Sequence, residues 1–200
     1  MNKEEHFGYR IEVATEKHTC FASEICRTMD ESARARGTGI GKRPPELLIR
    51  YMLEGKAVVA VTDDGRWAGF SYLALWDKGK YVSNSGLIVA PEFRERGVAK
   101  NIKEKIFELS RKKYPGAIIV GITTSEAVMK MNTSLGFVPT TFSQLPNDGE
   151  FWNGCRGCVN HDILERSRGK YCLCTAMRFD PASMVHEDVG QASILSEEFH

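Results

Sequence analysis

Three groups of residues in this sequence have the types and spacing to do chemistry. The first is GTGIGKR, from Gly37 to Arg43, which looks like the end of a nucleotide-binding loop. That loop needs G-x-x-x-x-G-K-[ST] between a strand and a helix. Counting back from Gly41 and Lys42, Arg36 stands where the leading glycine should be. Arg43 replaces the metal-binding hydroxyl, and helical periodicity precedes the loop. The triphosphate reading fails on all three points. What remains is a loop that concentrates Arg36, Lys42 and Arg43 among exposed backbone N–H groups. Such a loop suits a carboxylate-bearing ligand, and a solvated basic loop is the plainer alternative.

The second group is APEFRERGVAK, Ala90 to Lys100. It leaves an apolar, β-branched segment and enters an amphipathic one. At such a helix start several N–H groups have no internal acceptor, and the helix dipole adds positive potential. Gly97 lets the main chain approach a phosphate closely, and Ala99 keeps the approach open. A glycine at an ordinary strand–helix turn would read the same way on spacing alone.

The third group is Cys155-x-x-Cys158, thirteen intervening residues, then Cys172-x-Cys174. The first pair has the spacing of a metal knuckle, and four thiolates would complete a tetrahedral zinc site. If Cys172 and Cys174 share one face of a strand, their sulfurs lie too far apart unless the backbone kinks. Buried free thiols, a redox pair and an iron–sulfur cluster are the other readings. His161 is a substitute ligand or a surface histidine.

Periodicity supplies the elements that must position these groups. Tyr9–Val13 is strand-like, and Glu16–Arg36 reads as a helix with Phe21, Ile25 and Met29 every four residues. Pro44 and Pro45 suit the first turn of a second helix, which Gly55 ends. Ala57–Thr62, Trp67–Trp76 and Tyr81–Ala90 form a meander of antiparallel strands. Helical period returns with Val98, Ile102, Ile106 and Leu109. A core strand at Ala117–Ser125 follows, then a helix ending at Gly136–Phe137, a strand near Val138–Phe142 and a last one at Tyr171–Phe179. The order is α+β in one domain spanning 1–180, with a cysteine-bearing insertion at 143–174 and a polar tail at 181–200.

Arg94-Glu95-Arg96-Gly97-Val98-Ala99 fits [RQ]-x-x-G-x-[GA], the signature of the GNAT acyltransferases, and Gly86 to Glu108 resembles their motif A. The strand and helix that end in SLGF, Ser134 to Phe137, resemble their motif B. The resemblance implies a mixed, mostly antiparallel sheet flanked by helices. Its central strands, Ser85–Ala90 and Ile118–Thr124, would splay apart around the pantetheine arm of acetyl-CoA or another acyl-CoA. Amides of Arg94, Glu95, Arg96, Gly97, Val98, Ala99 and Lys100 would hold the pyrophosphate. Leu87, Ile88 and Val89 would line the coenzyme, with an N–H near Leu87 or Ile88 for the oxyanion.

GNAT proteins often place a tyrosine four residues before the glycine of the GF pair, as acid for the leaving thiolate. Here that residue is Asn132, which cannot donate a proton as a phenol does but can hydrogen-bond coenzyme A. For the base, Tyr81, Ser83 and Ser85 alternate on one strand face. The catalytic candidates are therefore Tyr81, Ser85 and Asn132. In this family the loop between the first two helices lines the acceptor side, which makes Arg36, Lys42 and Arg43 substrate contacts, together with Asn84 on the opposite strand face. Whole segments, RGTGIGKRPPE, GKYVSNSGLIVAPEFR and CLCTAMRFDP among them, resemble a bacterial N-acetylglutamate-synthase-like subgroup associated with arginine biosynthesis. That resemblance implies glutamate as acceptor and acetyl or succinyl as the acyl group. Other acceptors (an amine, an antibiotic, a protein lysine) and a silent acyl-CoA sensor stay open, and dimers are common in the family.

The bulk numbers exclude several classes. A formal charge of +1 gives no basic surface for nucleic acid or anionic lipid. No apolar run reaches the roughly 20 residues that span a bilayer. The charged N-terminus lacks the apolar stretch of a signal peptide, so the expected location is the cytosol. Six cysteines there are thiols or metal ligands rather than disulfides.

Overall fold

The computed structural model describes residues 8–37 and 43–183. Seven strands form one sheet in the order β1-β2-β3-β4-β5-β7-β6. They are β1 Tyr9–Val13, β2 Ala57–Thr62, β3 Trp67–Trp76, β4 Tyr81–Val89, β5 Ile118–Thr123, β6 Val138–Thr140 and β7 Thr175–Phe179. Every neighbouring pair is antiparallel except β4 and β5, which run parallel. That one parallel pair is bridged by a long helix, α3 Val98–Lys113, as a parallel crossover requires. The α+β reading and the meander from β2 to β4 agree with this sheet.

Helices pack against the sheet. In α1, Ala22–Arg36, the buried residues Ala22, Ile25 and Met29 recur at helical spacing, and the helix ends at left-handed Gly37. The expected single helix from Glu16 instead opens as a 3-10 turn, Glu16–Phe21, with the Thr15 N–H held on the His18 ring. α2, Pro45–Leu53, starts on its proline and buries Leu48 and Met52 completely. In α3 the buried Val98, Ile102, Ile106 and Leu109 lie along one stripe against the sheet. The remaining helices are α4 Glu126–Ser134, α5 Gly149–Asn153 and α6 His161–Arg166.

Two cores result. The larger one lies among α1, α2, α3 and strands β2 to β5. A smaller one gathers Tyr81, Val120, Phe142, Leu145, Leu164 and Ala176, with Phe151, Trp152 and three cysteines against it. The 142–174 segment builds this second core, and its two short helices carry no periodicity long enough to read in advance. Two strand ends differ from expectation for the same reason. β6 stops at Thr140 because Phe142 turns inward to the small core, and β7 starts at Thr175 because the chain bends at Leu173–Cys174. Among the described residues no helix is long and apolar enough to cross a membrane. Residues 184–200, most of the expected polar tail, lie outside the described residues.

One buried charge stands out in the large core. Lys103, 4% exposed on α3, has its Nζ 5.1 Å from the Phe137 ring centroid. Burial pushes its pKa down to about 8 from the usual 10.5. The unfolded chain therefore holds a proton that the folded one has lost between those values. Stability should rise with pH across that window and lie lowest below it. Lys103→Met should raise stability at pH 7 by about 1–3 kcal/mol and flatten the rise; melting curves at pH 7 and pH 10 test both.

Candidate active site

The central strands part where a parallel pair meets a bulge. β4 and β5 are in register at Tyr81–Ile118, Val82–Ile119 and Ser83–Val120, and the pairing ends there. On its other side β4 pairs with β3 along most of its length, but Gly86 and Leu87 together face the single residue Ser71. An extra residue of this kind bends its strand and leaves backbone groups off the ladder. Gly86 takes φ +66, and a Cβ there would lie 2.7 Å from Cε1 of Tyr72. The Ser71 hydroxyl donates to the Ser85 carbonyl at 3.0 Å and holds the bulge shut on the β3 side. The distortion therefore opens towards β5.

A cleft of about 820 Å³ fills the gap. Asn84 to Leu87 form one wall and Gly121 to Ser125 with Val128 form the other. Directly opposed antiparallel residues share a face, so Tyr72 lies beside Ser85 and Ala74 beside Ser83. The Trp76 indole N–H donates to the Ser83 hydroxyl at 2.8 Å, and the Ser85 hydroxyl donates to the same oxygen at 3.1 Å. The Ser85 hydroxyl is thus engaged as a donor, while Ser85 itself lines the cleft.

At the C-terminal end of β4 the chain runs through a turn, Pro91–Phe93, into the start of α3. Glu95 and Gly97 both have positive φ, 63° and 78°, which curls the backbone around the helix N-terminus. No side chain caps α3, and a Cβ on Gly97 would meet nothing within 4 Å. The first N–H groups of α3, from Val98 onward, thus lack intrahelical acceptors. The Val98 side chain itself is buried in the large core, and Ile88 and Val89 are buried with it. Arg94 does not extend freely: its guanidinium donates to the Val89 carbonyl at 3.3 Å and to the Ser32 hydroxyl at 2.9 Å. Lys100 pairs with Glu104 at 3.8 Å.

The cleft lining includes none of residues 88–100, and one part of it is basic and aromatic. Arg36 from the end of α1, Arg43, and Arg50 from α2 all line it, with Tyr51 and Tyr72. The Arg43 Nε donates to the Tyr72 hydroxyl at 2.5 Å, and the Tyr51 and Tyr72 rings stack at 4.5 Å. Burial holds the Tyr51 phenol above its ordinary range, with Tyr72 adding to the effect. Lys42 and the rest of 38–42 lie outside the described residues, but both described ends of that loop reach the cleft.

Several sequence candidates sit elsewhere. Tyr81 does not line the cleft; Phe142, Leu145 and Leu164 cover it in the small core. Asn84 presents backbone to the cleft, while its amide donates to Ser110 on α3 at 2.7 Å. Asn132 is 1% exposed, its amide directed at the Met177 sulfur at 3.5 Å. Conversely, Arg50, Tyr51, Tyr72 and Trp76 were not anticipated. For Tyr72 a signal existed: it falls in the same alternation as Ser83 and Ser85, one strand over.

The four cysteines converge on the cleft wall beyond Trp76, where Phe151 packs edge-on against that indole at 5.4 Å. Burial pushes the Cys155 thiol up to about 11, with Cys158 and Cys172 adding to the rise and Arg43 opposing it. Cys174 is pushed up to about 12, again by burial first and then by Cys172, Cys158 and Cys155. All four cysteines line the same cleft. Among the described residues, no three His, Cys, Asp or Glu side chains already stand in ligating positions.

Residues 41–137 match the model of the acetyltransferase (GNAT) family. Solved structures with the same fold include N-acetylglutamate synthase from Neisseria gonorrhoeae complexed with coenzyme A and N-acetyl-glutamate. It is 16% identical, with a TM-score of 0.59 over 86% of this chain and 35% of that one. This chain thus spans only about a third of the neisserial protein's length. A Mycobacterium tuberculosis protein solved with CoA is 15% identical, TM-score 0.59, over 86% of this chain and 98% of that one. The Salmonella typhimurium putative acetyltransferase yncA, solved with acetyl-CoA, is 14% identical, TM-score 0.58, over 87% and 94%. A comparison with curated protein sequences gives no match. At these identities the structures establish the fold. Residues 41–137, just under half of the chain, carry the pattern of the acetyltransferase (GNAT) family.

Proposed function

We propose that this protein transfers an acetyl or succinyl group from coenzyme A to the amine of a small acidic amino acid, glutamate above all. The observation that carries this reading is the convergence of Arg36, Arg43 and Arg50 on the cleft that opens between β4 and β5. A dicarboxylate acceptor offers anions to those guanidiniums at one end of the cleft. Its amine then points towards Ser85 and the bulge. The helix start at Gly97–Val98 is the seat for the coenzyme's pyrophosphate, and the diverging strands leave room for its pantetheine arm.

The chemistry asked of the protein is modest. The acceptor ammonium loses a proton to solvent and attacks the thioester carbonyl; the oxyanion is stabilised until the C–S bond breaks, the thiolate leaves and the nitrogen gives up its second proton to solvent. Backbone N–H groups freed by the bulge near Leu87 serve the oxyanion. Ser85, oriented by Ser83 and Trp76, accepts a hydrogen bond from the incoming amine or from a water beside it. With Asn132 buried against Met177, no acid stands at that position, so the thiolate leaves into solvent or is met by another donor. Glutamate as acceptor places the reaction in arginine biosynthesis, in keeping with the segment resemblances and with the product bound in the neisserial structure.

A thiol-release assay with acetyl- and succinyl-CoA against a panel of amino acids, amines and lysine peptides tests the proposal. Turnover confined to acidic amino acids is expected; turnover on amines or peptides instead would overturn the acceptor class. Tight coenzyme binding without turnover on any acceptor would identify a sensor. Arg43→Ala and Arg50→Ala should each raise the acceptor KM by about tenfold or more and leave that for acyl-CoA unchanged. Equal effects on both substrates would remove these residues from the acceptor side.

A further inference from the structure

We propose that Cys155, Cys158, Cys172 and Cys174 bind one zinc ion as four thiolates, and that this ion fastens the segment forming the outer wall of the cleft. The inference stands apart from the identity of the acceptor.

Both cysteine pairs are held by backbone that turns sharply. The Cys158 N–H closes a tight turn onto the Cys155 carbonyl at 3.0 Å, and the His161 N–H closes the next onto the Cys158 carbonyl at 3.1 Å. Between those turns the Asn160 N–H donates to the Cys158 sulfur at 3.4 Å. An amide N–H aimed at sulfur stabilises a thiolate ligand and fixes its direction. The Cys172 thiol reaches the same turn, donating to the Asn160 carbonyl at 3.7 Å.

The second pair meets the condition its spacing demands. On a regular strand two residues apart, the sulfurs of Cys172 and Cys174 would be too distant for one ion. The backbone instead bends at Leu173–Cys174 before β7 begins. Leu173 is turned outward, 65% exposed, while the cysteines on either side face the small core and the cleft. Among the described residues no three of these sulfurs already stand in ligating positions, so ion binding would draw them together at the turn and the bend. A tetrahedral set of four thiolates selects zinc or an iron–sulfur centre.

On binding, each thiol releases its proton to solvent, and four thiolates around Zn²⁺ leave two negative charges. Arg43, which lines the same cleft as Cys155, carries a positive charge of the compensating sign. The need for a fastener is visible in the fold. α5 and α6 have five and six residues, too short to hold themselves, and the core beneath them is small. The ion would tie α5, α6 and the approach to β7 at one point.

The test uses the whole chain, purified anaerobically with reductant, reconstituted with Zn²⁺ and desalted. Metal analysis should find about one zinc per chain. Co²⁺ in its place should show thiolate-to-cobalt charge-transfer absorption, a reading that needs no variant. Cys155→Ser and Cys172→Ser should each weaken zinc binding at least about tenfold, whereas Cys20→Ser and Cys26→Ser, outside the cluster, should keep it. Zinc-free wild type after reconstitution, iron and sulfide in place of zinc, or undiminished binding in both cluster variants would each overturn the proposal.

Discussion

Replacing Gly97 by tryptophan should lower the affinity for acyl-CoA by at least about 100-fold. The space in front of Gly97 is open, with nothing within 4 Å of where a Cβ would stand, so a large side chain can be accommodated by the fold. It would fill the approach to the uncapped start of α3, where the proposed function seats the coenzyme's phosphates. Positive φ at this position adds strain for any other residue, about 1 kcal/mol. Gly97→Ala carries that strain without the bulk and serves as the control. Calorimetric titration with coenzyme A should therefore show a small loss for alanine and a near-complete one for tryptophan. Equal affinity in wild type and the tryptophan variant would displace the coenzyme from this loop.

Gly86→Ala should cost about 2–4 kcal/mol of stability and reduce turnover by more than the loss of folded protein explains. A Cβ there would lie 2.7 Å and 3.0 Å from two Tyr72 ring carbons and 3.1 Å from the Met29 methyl, at a φ that L-residues avoid. Met29 can move, since a thioether side chain adapts. Tyr72 cannot easily do so: Tyr51 is stacked on it and Arg43 is bonded to its hydroxyl. Relief of the clash therefore shifts both the bulge and the basic end of the cleft. Denaturant unfolding gives the stability term, and steady-state rates corrected for folded fraction give the catalytic one. Unchanged rates per folded molecule would show that the bulge is a structural detail with no part in turnover.

The parts of the site that follow from local rules were legible in the sequence. Strand periods located β2 and β3 to the residue, and the helical period found the buried stripe of α3, because each buries a continuous apolar face. Gly97, between a β-branched strand and an amphipathic helix, was singled out in the sequence for close backbone approach, while its positive φ came only with the structure. Tyr81 shows where such reading ends. Its alternation with Ser83 and Ser85 was correctly seen, but whether a face is open depends on what the 142–174 segment lays over it. That segment is held by turns, short helices and a small core, none of which has a period. Arg50 was missed because an arginine beside the apolar stripe of α2 looks like any solvated helix residue. Only the position of α2 at the mouth of the cleft distinguishes it.

The division into two hydrophobic cores has a consequence for how this molecule can change over time. The wall against which coenzyme would lie belongs to the large core, whereas the wall that meets Trp76 and Arg43 is carried by the small one. Substitutions that repack Phe142, Leu145, Leu164 or Phe151 act on the second wall and reach the first only through the sheet. On the proposed function, the outer wall of the cleft is thereby free to drift while the coenzyme wall and the arginine-lined end, both built on elements of the large core, are inherited intact.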